Sequence, residues 1–435
     1  MRGNRFIVLG GVWFAAFFLA IDRVNISLAA PRITEELGLS GTQMGFILGM
    51  FFWGFLLANP LGGIAADNLS MRRFTSLMLM GWGILTSLTG ACQTAFHLLI
   101  VRGLFGVTEG AAVPSLNKLQ NHWLLPNERG RYWGIFAGFF QLGIAFGLPL
   151  VGWMINLWGW RVMFVISGTL TLMAVVAFYV VVRDNPHEHP WLSSEEKDWF
   201  VSTLEQDRVT YDPKAGQAVK IPFKQAFVQL AGNWAFWMLF ICGVLEFSLY
   251  YAGLSWFPSY LVKERGISIS QSGLYLTFPY LMGFVGSVGA GYIGDKVGNR
   301  TFVSAIFCLL AFPAILLAMN IEGELGAIFC LGLALLFASG PLNSFIVVMM
   351  DMLPPEIFGT AFSLVIGIGA GLCGAVSPIL VGYLLDITGS FFWGFTIFSL
   401  AGVLGAFISI PLMLYEKQVK ASKEAWATEN AEEGT

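Results

Sequence analysis

The chain has 435 residues, of which 56% are hydrophobic, 15% aromatic and only 12% charged, with a formal net charge of −3. Soluble domains carry about 25% charged residues, so this composition excludes a disordered chain, a nucleic-acid binder and an ordinary cytosolic enzyme. The mean hydropathy of +0.70 points to the bilayer as solvent, and at about 20 residues per spanning helix the length accommodates twelve spans.

Apolar segments run over Phe6–Ala30, Met44–Ala66, Phe74–Gln93, Leu98–Leu116, Tyr132–Leu157 and Val162–Val182. A second set covers Trp234–Tyr260, Ser272–Ile293, Phe302–Met319, Leu325–Met350, Thr360–Leu385 and Phe392–Leu414. Met1–Arg5 ahead of an apolar run imitates a leader peptide, but no small-residue cleavage site follows, and it reads as the start of the first span. The expected architecture is all-α, with a six-helix bundle over residues 1–182, a cytoplasmic linker over 183–229, a second bundle over 230–414 and a tail over 415–435. Within the linker, Ser193-Ser194-Glu195-Glu196-Lys197 has the pattern of an N-cap and an acidic first turn, which predicts a short surface helix.

Lys and Arg placement gives the orientation. With the N-terminus inside, 18 of the 24 cations fall in inner loops and tails, four (Arg32, Arg161, Lys263 and Arg265) fall outside, and Arg23 and Arg102 remain within spans. Both termini are therefore expected in the cytoplasm. The five cysteines sit in apolar stretches with no Cys-x-x-Cys or Cys/His clustering, as small packing residues do. The four histidines form no metal or catalytic pair, no loop pairs a nucleophile with a base, and no Gly-Lys-Ser/Thr phosphate loop is present. The expectation is a secondary carrier with no metal or cofactor, in which the proton serves as the coupling ion.

The halves echo each other. Gly63-Ile64-Ala65-Ala66-Asp67 follows the second span, with Arg72 and Arg73 close behind; Gly291-Tyr292-Ile293-Gly294-Asp295 follows the eighth, with Lys296 and Arg300. The copies are 228 residues apart. Glycine there is expected to let helices approach closely, and the Asp to hold a neighbouring helix end. This loop resembles that of the major facilitator superfamily, Gly-x-x-x-Asp-Arg-x-Gly-Arg-Arg. The first copy departs from it at Asn68 and Ser70. The resemblance implies two six-helix bundles with substrate near the midplane, reached alternately from either side.

Charged side chains within a span cost about 2.5–3.5 kcal/mol each on insertion and mark functional candidates. Asp22 and Arg23 lie late in the first span, and Arg102 and Glu109 in the fourth. Seven residues are almost two helical turns, so Arg102 and Glu109 share a face about 10 Å apart, and each needs a partner elsewhere. Two readings stay open: a structural ion network that balances itself, or arginines that bind an anion while the carboxylates carry protons. Arginine suits the second because its planar fork binds carboxylate bidentately and keeps its charge.

Asp22-Arg23-Val24-Asn25, Arg102 with Glu109, Pro126-Asn127-Glu128-Arg129, His189-Pro190-Trp191-Leu192-Ser193 and Trp256-Phe257-Pro258 together resemble the anion:cation symporter family. That family includes bacterial sugar-acid and phthalate-type carriers and sialin-like transporters. The resemblance implies proton coupling at Asp22 and Glu109, and substrate binding at Arg23, Arg102 and Gln141. Three polar positions of sugar-acid carriers are replaced, by Ala20, Phe55 and Gly367, which favours a less hydroxylated carboxylate, aromatic or short aliphatic. The second half lacks charged counterparts and offers Tyr251, Trp256 and Asn343 to orient the substrate body, or simply to pack. Glu246 is either a further proton site or a capped or water-exposed residue, and Asp351 reads as interfacial. The resulting expectation is proton-driven uptake of a small organic carboxylate by a monomer in lipid of the bacterial inner membrane, without nucleic-acid partners. An anion exchanger or exporter is the alternative, and a carboxylate sensor a more distant one.

Overall fold

The computed structural model describes residues 5–125, 129–185, 187, 189–211, 223–353, 355–419 and 421. Among them there is no strand. A bilayer has no water to bond a free peptide group, so each spanning segment satisfies its own backbone as a helix. The first part of the chain forms α1 (Arg5–Leu37), α2 (Gly41–Asn68), α3 (Met71–Thr89), α4 (Ala95–His122) and α5 (Arg129–Val181). Then come α6 (Ser194–Tyr211), α7 (Phe223–Ala231), α8 (Trp234–Lys263), α9 (Ile269–Val297), α10 (Arg300–Asn320) and α11 (Glu324–Met352). The last are α12 (Pro355–Phe362), a π-helical stretch (Ser363–Ala370), α13 (Gly371–Thr388) and α14 (Phe392–Ile408).

Each of the twelve apolar segments of the sequence falls mainly in helix, although the third overruns the end of α3 at Thr89 and the twelfth is broken at Ser409. The fifth and sixth share α5, which is broken at Gly159 (φ 78°, ψ 165°), a left-handed backbone that glycine adopts without penalty. The eleventh runs through α12, the π stretch and α13. Nine described helices are long and apolar enough to cross a membrane, or ten if the bent pair Phe392–Ile408 and Ile410–Val419 is one span. The 19-residue α3 is more polar because it begins with Arg72 and Arg73 and buries Thr75, Ser76, Thr86 and Thr89. Outward faces are strongly apolar, as with Leu57, Leu61 and Ile64 on α2, each more than 60% exposed.

The chain separates into two compact units, Met1–Ala218 with Ser255–Thr277, and Val219–Leu254 with Phe278–Thr435. In the first, α1 packs on α5, α2 on α4, and α3 on α4 and α5. The α2–α4 contact is backbone to backbone: a Cβ added to Gly106 would lie 1.9 Å from the Phe51 carbonyl oxygen. No side chain fits there, so the two helices run at glycine distance. In the second, α10 packs on α11 and α14, and α7 closes one end of a core that includes Ala226, Leu230, Met352, Leu353 and Ile357.

The predicted linker helix is α6. Ser193 Oγ accepts from the Glu196 backbone N–H at 3.2 Å, and Glu195 and Glu196 occupy the first turn. Its anchor is aromatic. His189 is 1% exposed and its Nε2 bonds the Val181 carbonyl at 2.9 Å, while the Trp191 N–H donates to Nδ1 at 3.3 Å. Because Nδ1 accepts, Nε2 carries the proton and the ring is neutral. Trp123, fully buried, lies edge-on to that ring and donates from Nε1 to the Arg183 carbonyl at 3.0 Å. Burial pushes the His189 pKa below its ordinary 6.5 despite the Val181 bond, with Arg183 and Lys197 acting in the same direction.

The repeated loop is built differently from expectation. A Cβ at Gly63 or Gly291 would meet no atom of the described residues within 4 Å, so neither glycine brings described helices close; that role falls to glycines such as Gly106, deeper in the helices. The Asp67 side chain lies outside the described residues. Arg300 pairs with Asp295, as the motif implies. Two further acids that sequence reading missed also hold helix starts. Asp184 accepts from Ser70 Oγ (2.5 Å) and the Arg72 N–H (2.6 Å) at the start of α3. Glu416 accepts from the Arg300 and Thr301 N–H groups, both at 2.9 Å, at the start of α10. Carboxylates at helix N-termini satisfy free donors and the helix dipole. Arg72 and Arg300 are 228 residues apart, so the repeat seen in sequence extends to these caps.

Candidate functional site

The four intramembrane charges of the first half converge within one unit. Successive residues on a helix point about 100° apart, so Asp22 and Arg23 of α1 leave in different directions. Arg23 reaches α4, where its Nη2 donates to Glu109 Oε1 in a close ion pair. This is the partnership that the spacing of Arg102 and Glu109 demands. Glu109 is fully buried, and its second oxygen has no hydrogen-bond partner among the described residues.

Asp22 is only 1% exposed and turns toward α3 and α5. Thr171 Oγ1 donates to Oδ2 at 2.6 Å, with Thr86 Oγ1 at 3.4 Å, and Asn25 Nδ2 donates to Oδ1 at 3.3 Å. All of these donors are neutral. The carboxyl is held in place without being tied to a cation, which leaves it able to gain or lose a proton without breaking an ion pair. Thr86 and Thr171 were not legible as site residues, because threonine is commonplace in membrane helices and only the fold aims these two at Asp22.

Arg102 differs from Arg23. It is 2% exposed, and no ion pair or hydrogen bond reaches its guanidinium among the described residues. It lies within electrostatic range of both Glu109 and Asp22. Its nearest company is aromatic: the guanidinium carbon sits 4.8 Å from the Phe105 ring centroid and 5.7 Å from that of Phe51. Cation–π attraction contributes about 0.5–2 kcal/mol, less than the several kcal/mol of desolvating a cation. An anion brought to this point would meet a charge already stripped of water and, among the described residues, not hydrogen-bonded by protein.

Phe51 also faces Arg23, at 5.3 Å, together with Phe55 at 5.8 Å and Phe140 at 5.1 Å. Phe55, Phe140 and Gln141 are half-buried, and Gln141 Oε1 has no hydrogen-bond partner among the described residues. Ala20 packs against α5: a Cβ on Gly143 would lie 2.8 Å from the Ala20 Cβ and 2.6 Å from the Phe17 carbonyl.

The remaining candidates belong to other places. Tyr251 packs against the core of the second unit and meets Tyr250 edge-on, and Asn343, in α11, has its side chain outside the described residues. Trp256 is buried at 1% exposure in the stretch of α8 that belongs to the first unit. Glu246, 2% exposed, lies in the second unit against Gly405 of α14, with the Cys308 thiol of α10 as its polar neighbour. The Asp351 side chain is outside the described residues. No group of three or more metal-ligating side chains occurs among the described residues.

Comparison with known proteins agrees with this picture. Hexuronate transporter of Bacillus subtilis is 27% identical over 423 residues, covering 94% of this chain and 94% of its own. Probable sulfoacetate transporter SauU of Cupriavidus necator is 27% identical over 434 residues, covering 94% and 93%. D-galactonate transporter of Escherichia coli is 24% identical over 395 residues, covering 88% and 89%. In fold, the chain is similar to the crystal structure of a bacterial homolog to human lysosomal transporter Spinster, with a TM-score of 0.73, 17% identity, and 96% and 97% of the two chains covered. The relatives are transporters, not enzymes, and the Major Facilitator Superfamily profile matches residues 12–366. A multi-pass helical membrane protein in which Asp22, Arg23, Arg102 and Glu109 gather in one unit, and whose family profile spans most of its length, this chain belongs to the Major Facilitator Superfamily.

Proposed function

We propose that the protein takes up a small organic carboxylate together with protons, by alternating access. It does so as a twelve-span monomer in lipid of the bacterial inner membrane, with both termini in the cytoplasm. The observation that carries this reading is Arg102, a buried guanidinium that forms no ion pair among the described residues, beside the Arg23–Glu109 pair. In this scheme the substrate carboxylate docks on Arg102. A proton on Glu109 removes that residue's hold on Arg23, which then joins Arg102 in a two-arginine clamp. Asp22, held by neutral donors, takes the second proton. Glu246 is a further carboxyl open to protonation in the second unit.

Moving a monoanion into a negative interior costs about 2.3 kcal/mol per 100 mV. One proton cancels that charge, and two make uptake electrogenic. Relatives named for hexuronate, sulfoacetate and galactonate support an organic acid as cargo. The test is uptake of a labelled carboxylate into proteoliposomes under an imposed pH gradient. The reading expects gradient-driven accumulation that is lost in Asp22→Asn and Glu109→Gln, with counterflow retained in the latter. Full pH-driven accumulation in both variants would refute it, and counterflow indifferent to pH in the unaltered protein would establish an exchanger instead.

A further inference from the structure

The two arginines are faced by benzene rings. Around Arg23 stand Phe51, Phe55 and Phe140, and around Arg102 stand Phe51 and Phe105, all with ring centroids between 4.8 and 5.8 Å from the guanidinium carbon. Phe51, 1% exposed, is common to both cations. Of these rings Phe55 and Phe140 are half-buried, so they form the partly exposed wall beside the cations in this unit, and Gln141 follows Phe140 with its Oε1 tucked out of contact with solvent. The polar inventory of that wall is short. Gln141 Oε1 accepts nothing from the described residues, and Asn59, one helical turn beyond Phe55, already donates its amide to the Gly110 carbonyl at 3.3 Å.

Such a wall distinguishes anions by their bodies. The carboxylate of any organic acid satisfies a guanidinium equally well. Beyond the carboxylate, a hydroxyl laid against a phenyl face gives up its hydrogen bonds to water and regains none. An aromatic or otherwise apolar body loses nothing there, and gains offset-stacked or edge-to-face contacts. One hydroxyl or N–H is accommodated when the Gln141 side chain turns its oxygen, unpartnered among the described residues, toward the substrate. A site that leaves substrate polar groups unpaired rejects them strongly, whereas size alone discriminates weakly.

Resting on the proposed anion-binding role of Arg102, we propose that the protein selects aryl carboxylates bearing at most one hydroxyl over polyhydroxylated sugar acids. Phe55, Phe140 and Gln141 are its specificity-determining residues. The phenyl faces set the discrimination against hydroxyls, and Gln141 the tolerance for a single one.

The test is equilibrium binding of radiolabelled benzoate to the purified full-length protein in nanodiscs, displaced by unlabelled benzoate, 3-hydroxybenzoate, glucuronate or galactonate. The two benzoates are expected to displace the label at concentrations at least tenfold below those of either sugar acid. Phe55→Tyr and Phe140→Tyr, which add a hydroxyl to the wall while keeping the ring, are expected to narrow that ratio threefold or more. Gln141→Leu is expected to weaken 3-hydroxybenzoate relative to benzoate. Displacement by glucuronate or galactonate as good as by benzoate overturns the proposal, as does a ratio that neither tyrosine variant moves. If benzoate does not bind, the same panel is run with labelled glucuronate. Binding of glucuronate that Arg102→Ala abolishes overturns the aryl selectivity and leaves the anion site standing, whereas failure of every carboxylate to bind overturns both.

Discussion

Neutralising Glu109 isolates the linkage between proton and substrate. The Glu109 carboxylate and the Arg23 guanidinium are paired through one oxygen and one nitrogen, and a substrate anion must compete with that pair. Glu109→Gln keeps the shape and removes the charge. Breaking a buried pair by removing one partner costs about 3–5 kcal/mol, because the other ion is left uncompensated. Arg23 side-chain exposure of 15% tempers the figure toward its lower end. An arriving carboxylate restores an anion beside Arg23 and recovers part of that cost. If it recovers about 1.4 kcal/mol, affinity rises about tenfold. Equilibrium binding of a transported carboxylate, measured across a pH series on the unaltered and E109Q proteins, is the assay. E109Q is expected to bind at least tenfold more tightly at the alkaline end and to show a flatter pH dependence, while its gradient-driven accumulation falls. Equal affinity and an unchanged pH profile would mean that the Arg23–Glu109 pair does not gate the anion, and the scheme would fall.

Three further outcomes follow from other parts of the structure. Arg102→Lys keeps a positive charge but loses the planar fork, so carboxylate affinity is expected to drop about tenfold or more, a bidentate charge-assisted contact being worth at least about 1.5 kcal/mol; unchanged binding by displacement assay would contradict its placement. Gly106→Ala puts a methyl 1.9 Å from the Phe51 carbonyl oxygen and is expected to destabilise by about 1–3 kcal/mol or more, visible as a lower Tm in detergent together with weakened substrate binding, since Phe51 touches both arginines. Burial depresses the His189 pKa, so docking of α6 is fully stabilised above the ordinary value of 6.5 and weakens as pH falls below it, because the undocked imidazole takes up the proton first. Hydrogen exchange of residues 191–203, corrected for intrinsic rate, should therefore rise between about pH 7 and 5.5, and His189→Gln should remove that rise.

What was readable without coordinates was set by chemistry that is strong and local. Apolar runs of spanning length located the long apolar helices, since a bilayer leaves few alternatives to a helix, whereas α6 showed only in its capping pattern and α7 in neither. Four charges in apolar surroundings announced the site for the same reason. Even the Arg23–Glu109 pairing was half visible, because two charges seven residues apart on one helix cannot neutralise each other and must look to a neighbour. Partners that are neutral or distant in sequence were hidden. Thr86 and Thr171 resemble any other threonine until α3 and α5 carry them to Asp22. Asp184 and Glu416 sit more than 110 residues from the helix ends they cap. The loop glycines misled because a motif records which residues recur and not what each touches: Gly63 and Gly291 face open space, while the glycine that brings α2 against α4 carries no loop signature.

In the proposed mechanism an organic anion and a proton cross together through the charged site of the first unit. Recording external pH in weakly buffered proteoliposomes while a carboxylate is added outside tests this most directly. Co-entry predicts a prompt alkalinisation outside, proportional to labelled substrate taken up and absent in Arg102→Ala. Substrate entry with no accompanying pH change would contradict the account.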